Sequence, residues 1–170
     1  MATNIETNSY MSEDSLHVFQ KICKYLDSEN IIYKKISHEP TFTSEESAKA
    51  RGEDLSLGGK AILMKVDDGF SLFVLSASKK IDSKKIKAHL RAKKIRFSTS
   101  DELFSLTSLV PGCVPPFASP IFPLTLYLDK SITLNSKIAF NAGSLTHSIV
   151  MDMTDYLNVA NAEMFDFSEI

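Results

Sequence analysis

Apolar positions near the start of the chain recur at helical spacing. Residues three or four positions apart would share one buried face of a helix that begins near Ser12 and ends at Asn30. This apolar stripe is formed by Leu16, Phe19, Ile22, Cys23 and Leu26. Residues 1–11 are expected to be a flexible lead, and residues 12–170 are expected to form a single domain.

The middle of the chain carries the pattern of a β-hairpin. Residues 60–66 and 70–76 are apolar runs, and Asp-Asp-Gly between them is a turn signal. Shorter β-branched or apolar runs predict further strands. These strands are expected at 31–37, 95–97, 124–128, 137–141 and 148–153.

Polar residues at capping positions predict the remaining helices. Thr43 with Glu46, and Thr99 with Glu102, have capping-box spacing, which places helices at about 43–51 and 99–106. Asp82 or Ser83 would cap a helix to about residue 91, and Thr154 would cap a last one to about residue 160. The mixed order of elements predicts an α+β fold with a mixed, largely antiparallel sheet surrounded by helices.

A proline-rich segment at 109–123 is too rigid for a helix or a central strand. Within it, a glycine at position 112 allows another molecule to approach the backbone, and two prolines fix the shape of the loop. Backbone N–H groups held in this way can stabilise an oxyanion. The alternative is a purely structural turn. Cys113 between the glycine and the prolines is expected to be a structural thiol rather than a nucleophile.

Charge is distributed unevenly along the chain. The net charge is −2, yet nine of the nineteen lysines and arginines lie between positions 79 and 96. Lys80, Lys84, Lys87 and Arg91 are spaced by four, three and four positions, so they would form one basic stripe. Such a stripe suits the phosphates of a nucleic acid, and its alternative is an ordinary solvated helix face.

Several kinds of chemistry have no support in the sequence. The four histidines show no metal-ligand spacing, and no cofactor-binding motif is present, so neither a metal nor a cofactor is expected. Gly58-Gly59-Lys60 is not a phosphate loop, because it precedes a strand rather than a helix. With no signal-peptide pattern, no membrane span and only two distant cysteines, the protein is expected to be cytoplasmic.

Three side chains are candidates for a polar site. Lys60 opens an apolar strand, where its ammonium could hold a phosphate or a carbonyl oxygen, and the alternative is a lysine that faces solvent. His38 and His147 are the other two candidates, although a histidine taken alone is more often an ordinary surface or core residue.

Four segments together resemble the YbaK and prolyl-tRNA-synthetase-associated editing domain family. They are H-E-P-T-F-T-S-E-E-S-A at 38–48, G-G-K-A-I-L-M-K-V at 58–66, G-x-x-x-P at 112–116 and F-N-A-G-S-L-T-H-S-I at 140–149. Their order and spacing within one small domain favour a functional role for Lys60 and Gly112. Ala118 stands where the family usually has glycine.

The resemblance implies a catalytic role for Lys60 and for the loop that carries the G-x-x-x-P motif. Lys60 would engage the 3′-terminal nucleotide of a tRNA, while backbone amides of Gly112, Cys113 and Val114 would lie near the scissile carbonyl. His147 would line the aminoacyl pocket. The substrate-binding residues expected from these segments are His38, Thr43, Pro115, Pro116, Phe117, Gly143 and His147.

The function implied is that of a freestanding aminoacyl-tRNA deacylase, which removes alanine, cysteine, serine or threonine from a mischarged tRNA. Its partner would be the acceptor end of that tRNA, and an aminoacyl-tRNA synthetase is a further candidate partner. Two alternatives stay open: a non-catalytic relative that binds tRNA or a protein, and a regulator that binds a small molecule in the same pocket.

Overall fold

A computed structural model describes the chain from Glu13 to Ile170, with side chains from His17 onward. The predicted lead at 1–11 and the predicted cap Ser12 lie outside these residues. The helices are α1 Glu13–Ser28, α2 Ser44–Arg51, α3 Ser83–Leu90, α4 Ser100–Thr107 and α5 Met153–Ala160. The strands are β1 Tyr33–Ser37, β2 Gly59–Val66, β3 Gly69–Ser76, β4 Ile95–Phe97, β5 Thr125–Asp129, β6 Lys137–Asn141, β7 His147–Asp152 and β8 Glu163–Phe165.

The strands form two sheets. One has five strands in the order β4-β2-β3-β5-β8, in which β5 is parallel to both β3 and β8 and the other pairs are antiparallel. The other has three antiparallel strands in the order β1-β7-β6. The predicted α+β class with mixed, largely antiparallel pairing is confirmed, but the strands divide between two sheets and β8 was not predicted.

Strand β3 is the centre of the five-stranded sheet, and both of its faces are buried. Leu72 and Val74 belong to the larger apolar cluster, which also takes in helices α1 and α5 and the strands of the second sheet. Phe73 and Leu75 point the other way, into a smaller cluster with Ile86 of α3. The alternation of side chains along a strand accounts for this division.

The predicted helix starts are largely confirmed. Thr99 and Glu102 form a complete capping box at α4, and the carboxylate of Asp82 accepts hydrogen bonds from the first amides of α3. At α2 the Thr43 hydroxyl accepts from the Glu46 amide, but the Glu46 carboxylate accepts from Phe42 N instead of completing the box.

Two details of the helices differ from the sequence expectation. The cap of α5 is Asp152 rather than Thr154, because the Asp152 carboxylate accepts from the amides of Thr154 and Asp155. In α1 the fully or nearly buried line is Val18, Ile22 and Leu26, while Phe19 and Cys23 lie at its edge and are half-buried.

The two sheets meet at the beginning of β2. Gly58 forms an isolated parallel bridge with Ala139 of β6, and a Cβ atom at Gly59 would lie 2.6 Å from Ile138 Cδ1. Only glycine fits this approach without moving the buried Ile138 side chain. Lys60 follows immediately, so the sheet junction fixes its position. No helix in the part of the chain that the structure describes is long and apolar enough to cross a membrane.

Candidate active site

A cleft of about 320 Å³ opens beside the sheet junction. Its walls come from the first turn of α2, the first half of β2, the segment that begins α4, the proline-rich loop and the end of β6. The side chains and backbone that line it include Phe42, Thr43, Ser47, Arg51, Gly58, Lys60, Phe97, Ser98, Ser100, Pro111, Gly112, Val114 and Asn141. The cleft therefore gathers residues that are far apart in sequence.

Lys60 lies in this cleft and is half-buried. Burial lowers the pKa of its ammonium because the charged form loses hydration, and Lys80 adds to that effect while Glu45 opposes it. No carboxylate lies within ion-pair distance of Lys60 among residues 17–170. A cation held without an ion-pair partner in a cleft is available to an anionic or carbonyl oxygen of a ligand.

The proline-rich loop turns sharply at its glycine. Cys113 N donates to Val110 O at 3.1 Å, Pro111 occupies the second position of the turn, and Gly112 has φ +91°. These are the features of a type II β-turn, in which the third position requires a positive φ and therefore favours glycine. The turn explains why proline and glycine stand next to each other at this point.

Of the loop residues that line the cleft, Gly112 and Val114 carry N–H groups that have no acceptor within the described chain. The expectation for Cys113 is corrected, because its N–H is consumed by the turn and its side chain is in the core. Burial raises the pKa of the Cys113 thiol to about 11, which keeps it protonated near neutral pH. Cys113 therefore contributes structure, as a spacer between the two available amides.

Asn141 joins three walls of the cleft, and sequence reasoning missed it. Its Nδ2 donates to Gly112 O at 2.7 Å and to Ser47 Oγ at 3.2 Å. Its Oδ1 accepts from Arg51 Nη2 at 3.2 Å. The asparagine was visible in the F-N-A-G segment, but only the fold places it against the loop.

Arg51 is a second cation in the cleft that was not predicted. Its Nε donates to Ser148 Oγ at 3.0 Å, and burial lowers the pKa of the guanidinium to about 10, an effect that Glu53 opposes. At neutral pH it stays charged. A Cβ atom at Gly58 would lie 3.7 Å from Arg51 Nη1, and Gly58 directly precedes β2, two positions before Lys60. Arg51 and Lys60 therefore serve the same region of the cleft.

His147 does not line the cleft, which corrects the expectation for this residue. Its ring stacks on Phe19 of α1 with centroids 4.7 Å apart, and Nδ1 lies 3.1 Å from Ser144 Oγ and 3.0 Å from Thr146 Oγ1. Alternation along β7 sends Ser148 toward Arg51 and therefore His147 to the opposite face. Burial lowers the pKa of His147, and His38 adds to this effect.

His38 lies one layer behind the cleft. Its Nε2 is 2.8 Å from Ser148 Oγ, and its Nδ1 is 2.8 Å from Glu39 O. Ser148 in turn contacts Arg51, so His38 touches the cleft through intervening side chains. Of the residues expected to bind substrate, Thr43 lines the cleft, whereas His38 supports it from behind.

Four more expected binding residues lie away from the cleft lining and serve the core. Pro115 and Pro116 are buried, and Pro116 O accepts from Tyr156 Oη at 2.7 Å. Phe117 is fully buried and packs edge-on against Phe140 and Tyr156. Gly143 has φ +73° and would place a Cβ 2.7 Å from Val18 Cγ1. These residues fix the loop and the strand end without reaching the cleft surface.

The predicted basic stripe is exposed but does not line the cleft. Lys84 and Lys87 lie on α3, while Arg91 caps its end in the left-handed region and Lys80 precedes the helix. All four side chains are exposed. Lys85, outside the stripe, donates to Ser168 O at 2.8 Å. Only the two central members of the predicted stripe, Lys84 and Lys87, therefore lie on the helix, and Lys80 and Arg91 flank it.

Metal ligands do not cluster in the region that the structure describes. No group of three or more histidine, cysteine, aspartate or glutamate side chains there could hold a metal ion. The described residues that line the cleft include no histidine, cysteine, aspartate or glutamate. What the cleft offers chemically is two cations, backbone N–H groups and several hydroxyls.

Comparison with known proteins identifies the family of the chain. The family described as "Aminoacyl-tRNA editing domain" matches residues 38–159. The multifunctional Ser/Thr-tRNA deacylase ProXp-y of Escherichia coli (strain K12) is 30% identical over 154 residues, which cover 87% of this chain and 91% of that protein. The prolyl-tRNA editing protein ProX of Acetoanaerobium sticklandii is 25% identical over 156 residues, with 89% and 95% covered.

A solved structure supports the fold. The crystal structure of a candidate trans-editing enzyme for prolyl-tRNA synthetase superposes with a TM-score of 0.79, at 21% identity, over 94% of this chain and 99% of that one. The chain belongs to the aminoacyl-tRNA editing domain family, and its enzyme class is aminoacyl-tRNA deacylase. The resemblance seen in the sequence is confirmed at this level.

The buried Cys113 thiol leads to a first prediction. Cys113→Ala should retain the deacylation rate of the unchanged protein within about threefold, because neither the thiol nor the Cys113 amide reaches the cleft. It should lower the free energy of unfolding by about 0.5–3 kcal/mol through poorer core packing. Deacylation assays and urea denaturation measure the two effects.

Cys23→Ala, which alters the half-buried cysteine of α1, is the matched control for this substitution. A folded Cys113→Ala protein whose rate is lowered by orders of magnitude, beside an active Cys23→Ala protein, would contradict the structural role of Cys113.

Proposed function

We propose that this protein edits in trans, by hydrolysing the ester between a small amino acid and the 3′ end of a mischarged tRNA. The observation that carries the proposal is that Lys60, Gly112 and Val114 line one cleft, and that the N–H groups of Gly112 and Val114 have no acceptor within the described chain. A cation and two N–H groups in one cleft can hold the nucleotide and the scissile carbonyl at the same time.

The reaction needs no protein nucleophile. An aminoacyl ester is already activated, so correct positioning and stabilisation of the developing oxyanion can supply the main rate enhancement. Water attacks the ester carbonyl carbon, the amides of Gly112 and Val114 donate to the carbonyl oxygen as it gains charge, and the bond to the ribose oxygen breaks. The neighbouring ribose hydroxyl relays the proton of the water to the departing ribose oxygen.

Several features of the cleft suit the single-stranded end of a tRNA. Lys60 would take the phosphate of the terminal nucleotide, with Arg51 as a second cation nearby. Phe42 and Phe97 stand at the rim with 61% and 58% of their surface exposed. Exposed aromatic rings beside cations are typical platforms on which bases stack without sequence preference.

The amino acid removed would be small and polar. Three hydroxyl-bearing residues, Thr43, Ser47 and Ser98, line the cleft, which favours serine and threonine over alanine and cysteine. The Escherichia coli relative is named a Ser/Thr-tRNA deacylase, which supports the same order.

The direct test is a panel of tRNAs charged with serine, threonine, alanine or cysteine. The unchanged protein should release free amino acid, with serine and threonine released fastest. Lys60→Met should abolish release because it removes the cation while keeping an unbranched side chain in the cleft. Lys130→Met, which alters an exposed lysine away from the cleft, is the matched control and should keep full activity.

The Lys60→Met substitution should not lower the stability of the folded protein. Since burial lowers the pKa of Lys60, its charge costs stability at neutral pH, so Lys60→Met should unfold at an equal or higher temperature. In the unchanged protein, the stability cost of the Lys60 charge disappears as the pH rises from the lowered pKa toward the ordinary value of about 10.4, because the lysine then loses its proton.

Full activity of a folded Lys60→Met protein would refute the role of Lys60. Tight tRNA binding without release by the unchanged protein would identify a binder instead.

The basic stripe should contribute to tRNA affinity through phosphate contacts. Replacing both Lys84 and Lys87 by alanine should weaken binding and reduce the slope of log affinity against log salt by about 2, one unit for each phosphate that is no longer neutralised. Binding measured across a salt series gives this slope. Lys21→Ala with Lys24→Ala removes two exposed lysines of α1 as the control. An unchanged slope after replacement of Lys84 and Lys87 would mean that these lysines face solvent and do not contact tRNA phosphates.

A further inference from the structure

The orientation of the Asn141 amide is determined by its neighbours. An arginine only donates hydrogen bonds, so the Asn141 atom that lies 3.2 Å from Arg51 Nη2 must be the carbonyl oxygen. The NH₂ group must then be the part that faces the proline-rich loop, where Nδ2 lies 2.7 Å from Gly112 O. Arg51 thus decides which end of Asn141 meets the loop.

The contact with Gly112 O acts on the peptide unit that sets the two available amides. The carbonyl of Gly112 is held by Asn141, while the N–H of the same peptide unit, that of Cys113, is held by Val110 O at 3.1 Å. With both ends fixed, this peptide plane cannot rotate. The amides of Gly112 and Val114 lie in the peptide units on either side of it, so rotation of this plane would redirect them. The unit that carries the Val114 N–H is also held at its other end, where Cys113 O accepts from Gly143 N at 2.9 Å.

Asn141 is itself held on more than one side. It lies at the end of β6, where it pairs with Ser148 of β7, and Nδ2 also reaches Ser47 Oγ at 3.2 Å. Arg51 is anchored through its Nε to Ser148 Oγ at 3.0 Å. Because two strands and α2 restrain the Asn141 side chain, it forms a rigid support. A loop that stabilises an oxyanion needs such a support.

We propose that Asn141, oriented by Arg51, is a positioning residue for the reaction: its amide pins Gly112 O and thereby aims the amides of Gly112 and Val114 at the ester carbonyl. Asn141 touches the loop rather than the reacting atoms in this role. The inference rests on the proposed function, because it names what holds the oxyanion-stabilising loop in place.

The test is Asn141→Asp, which keeps the size of the side chain and its acceptor toward Arg51. The ionised carboxylate cannot donate to Gly112 O, so two acceptors would face each other and the loop would turn away. The expected result is a fall in kcat of about 10²-fold, as for a small misplacement of reacting groups. Because the new carboxylate would also pair with Arg51, the effect on KM is measured in the uncharged variant Asn141→Ser, where KM should change by less than about threefold. Binding contacts made by Lys60 are left in place.

A matched control exists elsewhere in the chain. Asn135 Nδ2 also donates to a backbone carbonyl, Ser56 O, at 3.0 Å, and Asn135 does not line the cleft. Asn135→Asp should leave kcat and KM unchanged. If Asn141→Asp fails to fold, Asn141→Ser becomes the test variant, because it removes the hydrogen bond to Gly112 without adding a charge.

A readout that does not need activity separates this inference from the proposed function. In ¹⁵N-labelled protein, the amide signals of Gly112 and Val114 should shift and exchange with solvent faster in Asn141→Asp than in Asn135→Asp. If the unchanged protein releases no amino acid yet these signals respond, the proposed function fails and the support of the loop stands. Unchanged loop signals, or an unchanged kcat in a folded Asn141→Asp protein that does hydrolyse, would overturn the role of Asn141.

Discussion

The beginning of β2 lies where the two sheets touch, and this contact depends on Gly59 having no side chain. A Cβ atom there would come within 2.6 Å of Ile138 Cδ1, and Ile138 is fully buried. The close approach brings β6, which ends in Asn141, beside β2, which carries Lys60. Every other part of the cleft is arranged around these two strands, so the distance between the sheets sets the distance between the cation and the loop that Asn141 holds.

Two charged side chains in the cleft cost the fold some stability. Lys60 and Arg51 are cations in a partly dehydrated cleft, and burial is the largest cause of the lowered pKa of both. Neither has an ion-pair partner within the described part of the chain, although Arg51 is held by hydrogen bonds. Charges kept in such surroundings are typical of sites that receive an anionic ligand. Cys113, in contrast, is a thiol made inert by burial.

Much of the fold could be predicted because its signals are local. The Asp-Asp-Gly turn between β2 and β3 and the Thr99 capping box depend on residues close in sequence, and both are present. The division into two sheets could not be predicted, because it depends on the contact of Gly58 with Ala139, eighty-one positions away. Strand β8 was missed since three residues, one of them charged, carry no periodic pattern.

The candidate site was predictable in its motifs and not in its side-chain directions. Lys60 and Gly112 were named from segments that resemble a family, and both line the cleft. His147 was named in the same way but points to the opposite face of β7, where it stacks on Phe19. Arg51 and Asn141 had no motif of their own, and their importance comes from hydrogen bonds between segments far apart in sequence.

In the proposed reaction, one cleft holds both the terminal nucleotide, at Lys60, and the ester carbonyl, at the proline-rich loop. A crystal structure with a non-hydrolysable seryl-amide analogue of adenosine 5′-phosphate, bound to the unchanged protein, measures this directly. We expect the phosphate beside Lys60 Nζ and the analogue carbonyl oxygen about 2.7–3.1 Å from the Gly112 or Val114 amide. An analogue bound elsewhere on the protein, or bound in the cleft with its carbonyl turned away from both amides, would contradict it.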